Sequence, residues 1–147
     1  AHGSWHWSIA QDPREPRRRI AVEPAAGKGD HAASGYRVLG CAHEAALLLL
    51  RPMTGRTHQL RVHAAKAGAA LLGDRHYGGP MQRTLANGRV LRAGRVMLHC
   101  ARVRVPKIGE PGLVSIDAAL PEDFRSLWLQ LGGAAGLLEP QSWAADV

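Results

Sequence analysis

The sequence predicts an α/β chain of the α+β kind, with a mixed, mostly antiparallel sheet and one helix lying on it. Three observations predict this. Two apolar runs, Ser34 to Leu39 and Ala45 to Arg51, flank a short turn from Gly40 to Glu44 and read as a hairpin. A helical segment from about His58 to Ala67 follows, with Thr57 as its N-cap and Gly68 as its terminator. Further on, Val103 and Val105 alternate with Arg102 and Arg104 at the two-residue period of a strand.

Taken in order, Trp5 to Ile9 alternates bulky and polar residues as a short first strand, stopped by Asp12-Pro13. On that reading Trp5 and Trp7 share one face, for core packing or for stacking on bases. Arg14 to Arg19 and Pro24 to His31 read as exposed connection, rich in Arg in the first part and in Gly and Ala in the second. The run Ala45 to Leu50 is near-continuous in apolar character, as in a strand covered on both faces. After the helix, Gly73-Asp74 reads as a tight turn in which Asp74 caps local amides, and Tyr77 to Gly94 has no clear period. Val96 to Val105 is a strand ended by Pro106, and Leu113 to Ala118 is another. Pro121 opens a second helix to Leu131, with Phe124, Leu127, Trp128 and Leu131 on one face. Residues 1–131 form the domain, and residues 132–147 form a loosely ordered tail.

The chain has 147 residues, long enough for one domain that buries roughly two-thirds of its unfolded surface. Nineteen Lys and Arg against twelve Asp and Glu leave a formal charge of +7, which fits a polyanionic partner and equally fits plain solubility. Cys41 and Cys100 belong to no C-x-x-C pattern, so two buried, reduced thiols in a cytoplasmic protein are expected. The run Ala45 to Leu50 is far short of the about twenty residues that cross a bilayer, so no membrane partner is expected. The first residue is Ala1, and the segment after it lacks signal-peptide character, so the chain is expected to begin partway through a longer protein.

One segment is specific. It reads Thr54-Gly-Arg-Thr-His-Gln-Leu-Arg-Val-His63, followed by Gly68, Gly73-Asp74 and Tyr77. This resembles the signature of the RluA-type RNA pseudouridine synthases, T-G-R-T/S-H-Q-L/I-R-V-H followed by G-D-x-x-Y. The likeness extends to Ile9–Val22, to Ser34–Leu39 and to Met97-Leu-His-Cys-Ala101, and covers most of the chain to about Phe124. It implies the C-terminal part of a pseudouridine synthase-like catalytic domain, acting on ribosomal or transfer RNA without metal or redox cofactor. By position, Arg61 matches the arginine that in the family pairs with the nucleophilic aspartate, a task suited to a rigid planar fork. Arg56, Thr57, His58, Gln59 and His63 would shape the pocket or hold RNA, Leu98 would pack near the flipped uracil, and Arg17, Arg18 and Arg19 would contact RNA.

The family's aspartate lies in an H-R-L-D-x-x-T-S-G motif that this chain lacks. Alone, the chain is therefore expected to be inactive, with the missing half of the domain as a partner. Other readings stay open: a catalytically silent RNA-binding module, or a hydrolase using its histidines. Arg61 on an amphipathic helix and the arginines of the basic loop can also be read as solvated surface. His58 and His63 lie about 140 degrees apart around a helix, so they do not form a metal pair.

Overall fold

The structure, a computed structural model, describes residues 1–143. Its elements are β1 (His2–Trp5), β2 (Ser8–Gln11), β3 (Arg19–Val22), β4 (Ser34–Ala42), β5 (Ala45–Pro52), α1 (Gln59–Lys66), β6 (Gln82–Thr84), β7 (Val90–Arg92), β8 (Arg102–Pro106), β9 (Leu113–Asp117) and α2 (Glu122–Gln130). The α+β class is as expected. The sheet is not continuous: β1-β4-β5 form a three-stranded piece, and β2-β3, β6-β7 and β8-β9 form separate pairs. Every ladder among the described residues is antiparallel, in keeping with the expected mostly antiparallel sheet.

The expected first strand is in fact two. Trp5 ends β1 opposite Ser34, and Ser8 opens β2 opposite Val22, so the chain changes sheets at His6-Trp7. Trp5 is buried and stacks on Tyr36 with ring centroids 4.6 Å apart, whereas Trp7 is half-buried. The basic stretch is only partly a loop, because Arg19 opens β3.

The β4-β5 hairpin forms, with strands longer and a turn shorter than expected. Pairing runs to Ala42 opposite Ala45, leaving only His43 and Glu44 to turn, at φ 39° and 57°. A two-residue turn that matches strand twist needs positive φ at both positions, and no glycine marks it here. A bulge between Val38 and Gly40 absorbs one residue. The leucine run is not covered on both faces. Leu47 is buried, while Leu48, Leu49 and Leu50 are half-buried and β5 is an outer strand of its sheet.

Helix α1 lies against β3, β4 and β5. Thr57 does not cap it. The N-cap position belongs to His58 in the left-handed region, and Thr57 is exposed. Two further expectations fail. Residues 82–92 form the β6-β7 hairpin around Asn87-Gly88, and residues 96–101 are irregular because the Met97 N–H donates to Leu72 O rather than to a strand ladder. Helix α2 buries Leu127 and Trp128. Beyond Gly132 the expected loose tail instead makes two single turns, Ala135–Leu138 and Pro140–Ser142, and buries Leu138 beside Leu47 and Trp128. The rest of that tail, 144–147, lies outside the described residues. Both cysteines are exposed, contrary to the expected burial.

Candidate active site

The loop from Thr54 to His58 is tied down by one side chain. Gln59 Oε1 accepts hydrogen bonds from the Arg56 N–H (3.0 Å) and from Thr54 Oγ1 (2.7 Å). Its Nε2 donates to Ala33 O and Ser34 Oγ, both at 2.9 Å. An amide offers two donors and two acceptor lone pairs, and all four are used. His63 continues the network. Its Nε2 lies 2.8 Å from Trp7 O, a carbonyl that can only accept, so Nε2 carries the proton and Nδ1 accepts from Ser34 Oγ at 3.0 Å. Burial holds the His63 pKa below the ordinary imidazole range, against the opposing pull of the Trp7 carbonyl. Gln59 and His63, expected among the RNA-contacting residues, are thus internal. They hold the turn and helix in place.

The second network joins the two halves of the signature. Arg61 Nε donates to Asp74 Oδ2 at 2.8 Å and Nη2 donates to Oδ1 at 2.7 Å, a bidentate pair. Asp74 is fully buried, and burial alone would raise its pKa. The Arg61 hydrogen bonds and charge, helped by Tyr77, outweigh that and hold the carboxyl below its ordinary value. Asp74 is therefore not merely a turn cap, as expected. The guanidinium lies over the Tyr77 ring, 4.9 Å from its centroid, and that of Arg18 lies 5.6 Å from the same ring. The Tyr77 hydroxyl accepts from the Arg19 N–H at 3.1 Å and meets His58 Nδ1 at 2.8 Å. Burial, then the charges of Arg61, His76 and Arg19, lower the His58 pKa, so its imidazole is neutral near pH 7.

Two glycines fix the turn that carries Asp74. Gly73 has φ 78°, and a Cβ on it would overlap the Arg95 carbonyl; a Cβ on Gly79 would overlap the Leu71 carbonyl. Sequence reading missed Asp74 and Tyr77 as site residues, although both belong to the G-D-x-x-Y part of the signature.

The remaining expected residues are spread around this centre. Arg18 and Arg19 reach it as described, while Arg17 and Thr57 are exposed. Arg56 is exposed and donates from Nε to His31 O at 3.1 Å. Leu98 lies elsewhere: it lines an open cavity of about 1530 Å³ together with Leu48, Leu50, Leu60, Leu72 and Met97, and Arg61 is not part of its wall. No group of three potential metal ligands occurs among the described residues. No helix among them is long and apolar enough to cross a membrane.

Fold and site together define an α+β scaffold that presents a fixed guanidinium beside a basic loop. The chain belongs to the RluA-type RNA pseudouridine synthase family. It is 38% identical over 119 residues to the dual-specificity RNA pseudouridine synthase RluA of Escherichia coli, covering 79% of this chain and 48% of that protein. It is 37% identical over 119 residues to an uncharacterized RNA pseudouridine synthase of Chlorobaculum parvum, covering 74% and 36%. Among solved structures it resembles human RNA Pseudouridylate Synthase Domain Containing 1, with a TM-score of 0.62 and 28% identity over 86% of this chain and 52% of that one. No protein-family model matches. The chain therefore spans about half or less of the length of these relatives.

Proposed function

We propose that this chain is the C-terminal part of a cytoplasmic catalytic domain that converts uridine to pseudouridine in ribosomal or transfer RNA. The observation that carries the reading is Arg61, held at the centre of the signature with donors to spare. In the reaction an aspartate adds covalently, the glycosidic bond breaks, the uracil turns, its C5 bonds to the ribose carbon, and the aspartate is released as the C5 proton is lost. The chain would supply the cation that orients the aspartate. Extruding the target uridine costs a few kcal/mol, offset by phosphate contacts from the loop of Arg17, Arg18 and Arg19 and from Arg56.

The nucleophile would come from polypeptide outside these 147 residues. Asp74 is the carboxylate beside Arg61, and it is fully buried with both oxygens engaged. The completing half-domain would seat in the cavity along the outer edge of β5, where Leu48 and Leu50 are half-covered. It would also cover the apolar face of the β8-β9 hairpin, where Val103, Val114 and Ile116 are 44%, 41% and 57% exposed.

Tritium release from RNA labelled at uracil C5 tests the reading. The chain alone should release none. A protein extended with the H-R-L-D-bearing half should release it, and Arg61→Ala in that protein should abolish release. Absence of release from every cellular RNA by the extended protein would leave the alternative of a silent RNA-binding module, which the charge of +7 also fits.

A further inference from the structure

A guanidinium has five N–H donors. Asp74 engages one on Nε and one on Nη2, and Arg61 makes no other hydrogen bond to described residues. Three donors remain, both hydrogens of Nη1 and the second of Nη2. Two of these, one on Nη1 and the second on Nη2, form the one bidentate edge still open, the end-on edge, on a side chain that is 21% exposed. Asp74 itself cannot drift, because Gly73 and Gly79 are each locked against a backbone carbonyl and the Asp74 carbonyl accepts from Tyr77 N–H and Gly79 N–H. The Tyr77 ring beneath the guanidinium restrains its tilt.

We infer that Asp74 is a positioning residue: by gripping the Nε edge of Arg61 it presents the end-on edge as a fixed fork for one carboxylate. This rests on the proposed function, in which that carboxylate is the nucleophile. Two physical effects follow from the arrangement. Arginine has several rotatable bonds, and ordering them before the ligand arrives strengthens binding without a new contact. The Arg61–Asp74 pair also has no net charge, so it orients an incoming carboxylate while adding little field that would weaken it as a base. For the same reason the fork is a poor magnet for a polyanion and is suited to a single planar group.

The test uses the chain as it stands, with sodium acetate and inorganic phosphate as probes and the Arg61 side-chain NMR signals as the readout. Acetate should shift the Arg61 Nη signals saturably. In Asp74→Asn, which keeps the side-chain shape, the guanidinium is no longer neutralised or held, so the preference for acetate over phosphate should fall by about tenfold, and exchange of the Nε proton should quicken. If that variant does not fold, Asp74→Glu, which keeps the charge but displaces the fork, should fold and bind acetate more weakly than the native chain. No acetate response in the native chain overturns the inference, as does an unchanged preference for acetate over phosphate in the folded variant. Phosphate binding as tight as acetate also overturns it, by moving the fork to the RNA backbone. Failure of tritium release with the acetate response intact would remove the enzymatic reading and leave the positioning role standing.

Discussion

Two surroundings of α1 differ in kind. Around Gln59, Arg61 and His63, buried polar groups are joined in networks: Gln59 uses all four of its hydrogen-bonding positions, and Asp74 has both oxygens on one guanidinium. On the side of Leu60, the chain opens into a cavity of about 1530 Å³, and nearby strands carry apolar residues in contact with solvent. The difference teaches that the polar groups are satisfied within this chain, whereas the wall of the cavity keeps apolar surface partly uncovered.

The largest test of that contrast is Asp74→Ala, which leaves the Arg61 charge half-buried without a partner. Breaking a buried ion pair costs about 3–5 kcal/mol, and partial exposure of Arg61 places this one near the lower end, at about 3 kcal/mol. Urea unfolding measures it; a loss below about 1 kcal/mol would mean that the pair is no more than a surface bridge. Next comes Gln59→Ala, which strips partners from Ala33 O, Ser34 Oγ, Thr54 Oγ1 and the Arg56 N–H. A destabilisation of about 2–3 kcal/mol is expected by the same method.

The pH dependence sharpens the contrast further. His58 and His63 have lowered pKa values in the folded chain, so below the unfolded value of about 6.5 the unfolded chain binds protons that the folded one does not. Stability should be flat above pH 7 and fall on acidification from about pH 6.5 towards the folded pKa values, by at most about 1.4 kcal/mol per pH unit for each histidine. Thermal melts across pH 5 to 8 would show it, and melting that rises on acidification would break the account. The smallest effect belongs to the open side. Ile116→Ser should change the stability of this chain by no more than about 0.5 kcal/mol, because its side chain is already largely hydrated. A large loss there would show that the hairpin face is covered within the chain.

The sequence carried the periodic features and missed those set by contact across the chain. The β4-β5 pair, α1 and the apolar face of α2 were legible because each has a local repeat and a marked end. The His43-Glu44 turn was not, since its positive φ angles fall on residues that seldom adopt them. The β6-β7 hairpin was signalled by Asn87-Gly88, but the strands are too short to show alternation. At the site, Arg61 was legible from the signature, whereas its pairing with Asp74 spans thirteen residues through a glycine-locked loop that no periodicity describes. The signature places Gln59 and His63 beside the pocket or the RNA; their burial depends on Ala33, Ser34 and Trp7 arriving from elsewhere in the chain.

Cys41 and Cys100 lie on the wall of the open cavity, one in β4 and the other just before β8, and both thiols are accessible. The protein thus comes with two native reporter positions. A fluorophore or nitroxide on each would turn the separation of the walls into a spectroscopic distance, and the rate at which a thiol reagent reaches them would register whether the gap is filled. The same accessibility dictates handling: in air, with oxygen as oxidant and no reductant, these thiols would couple between chains, and a preparation joined in that way would have its groove blocked where the half-domain is proposed to dock.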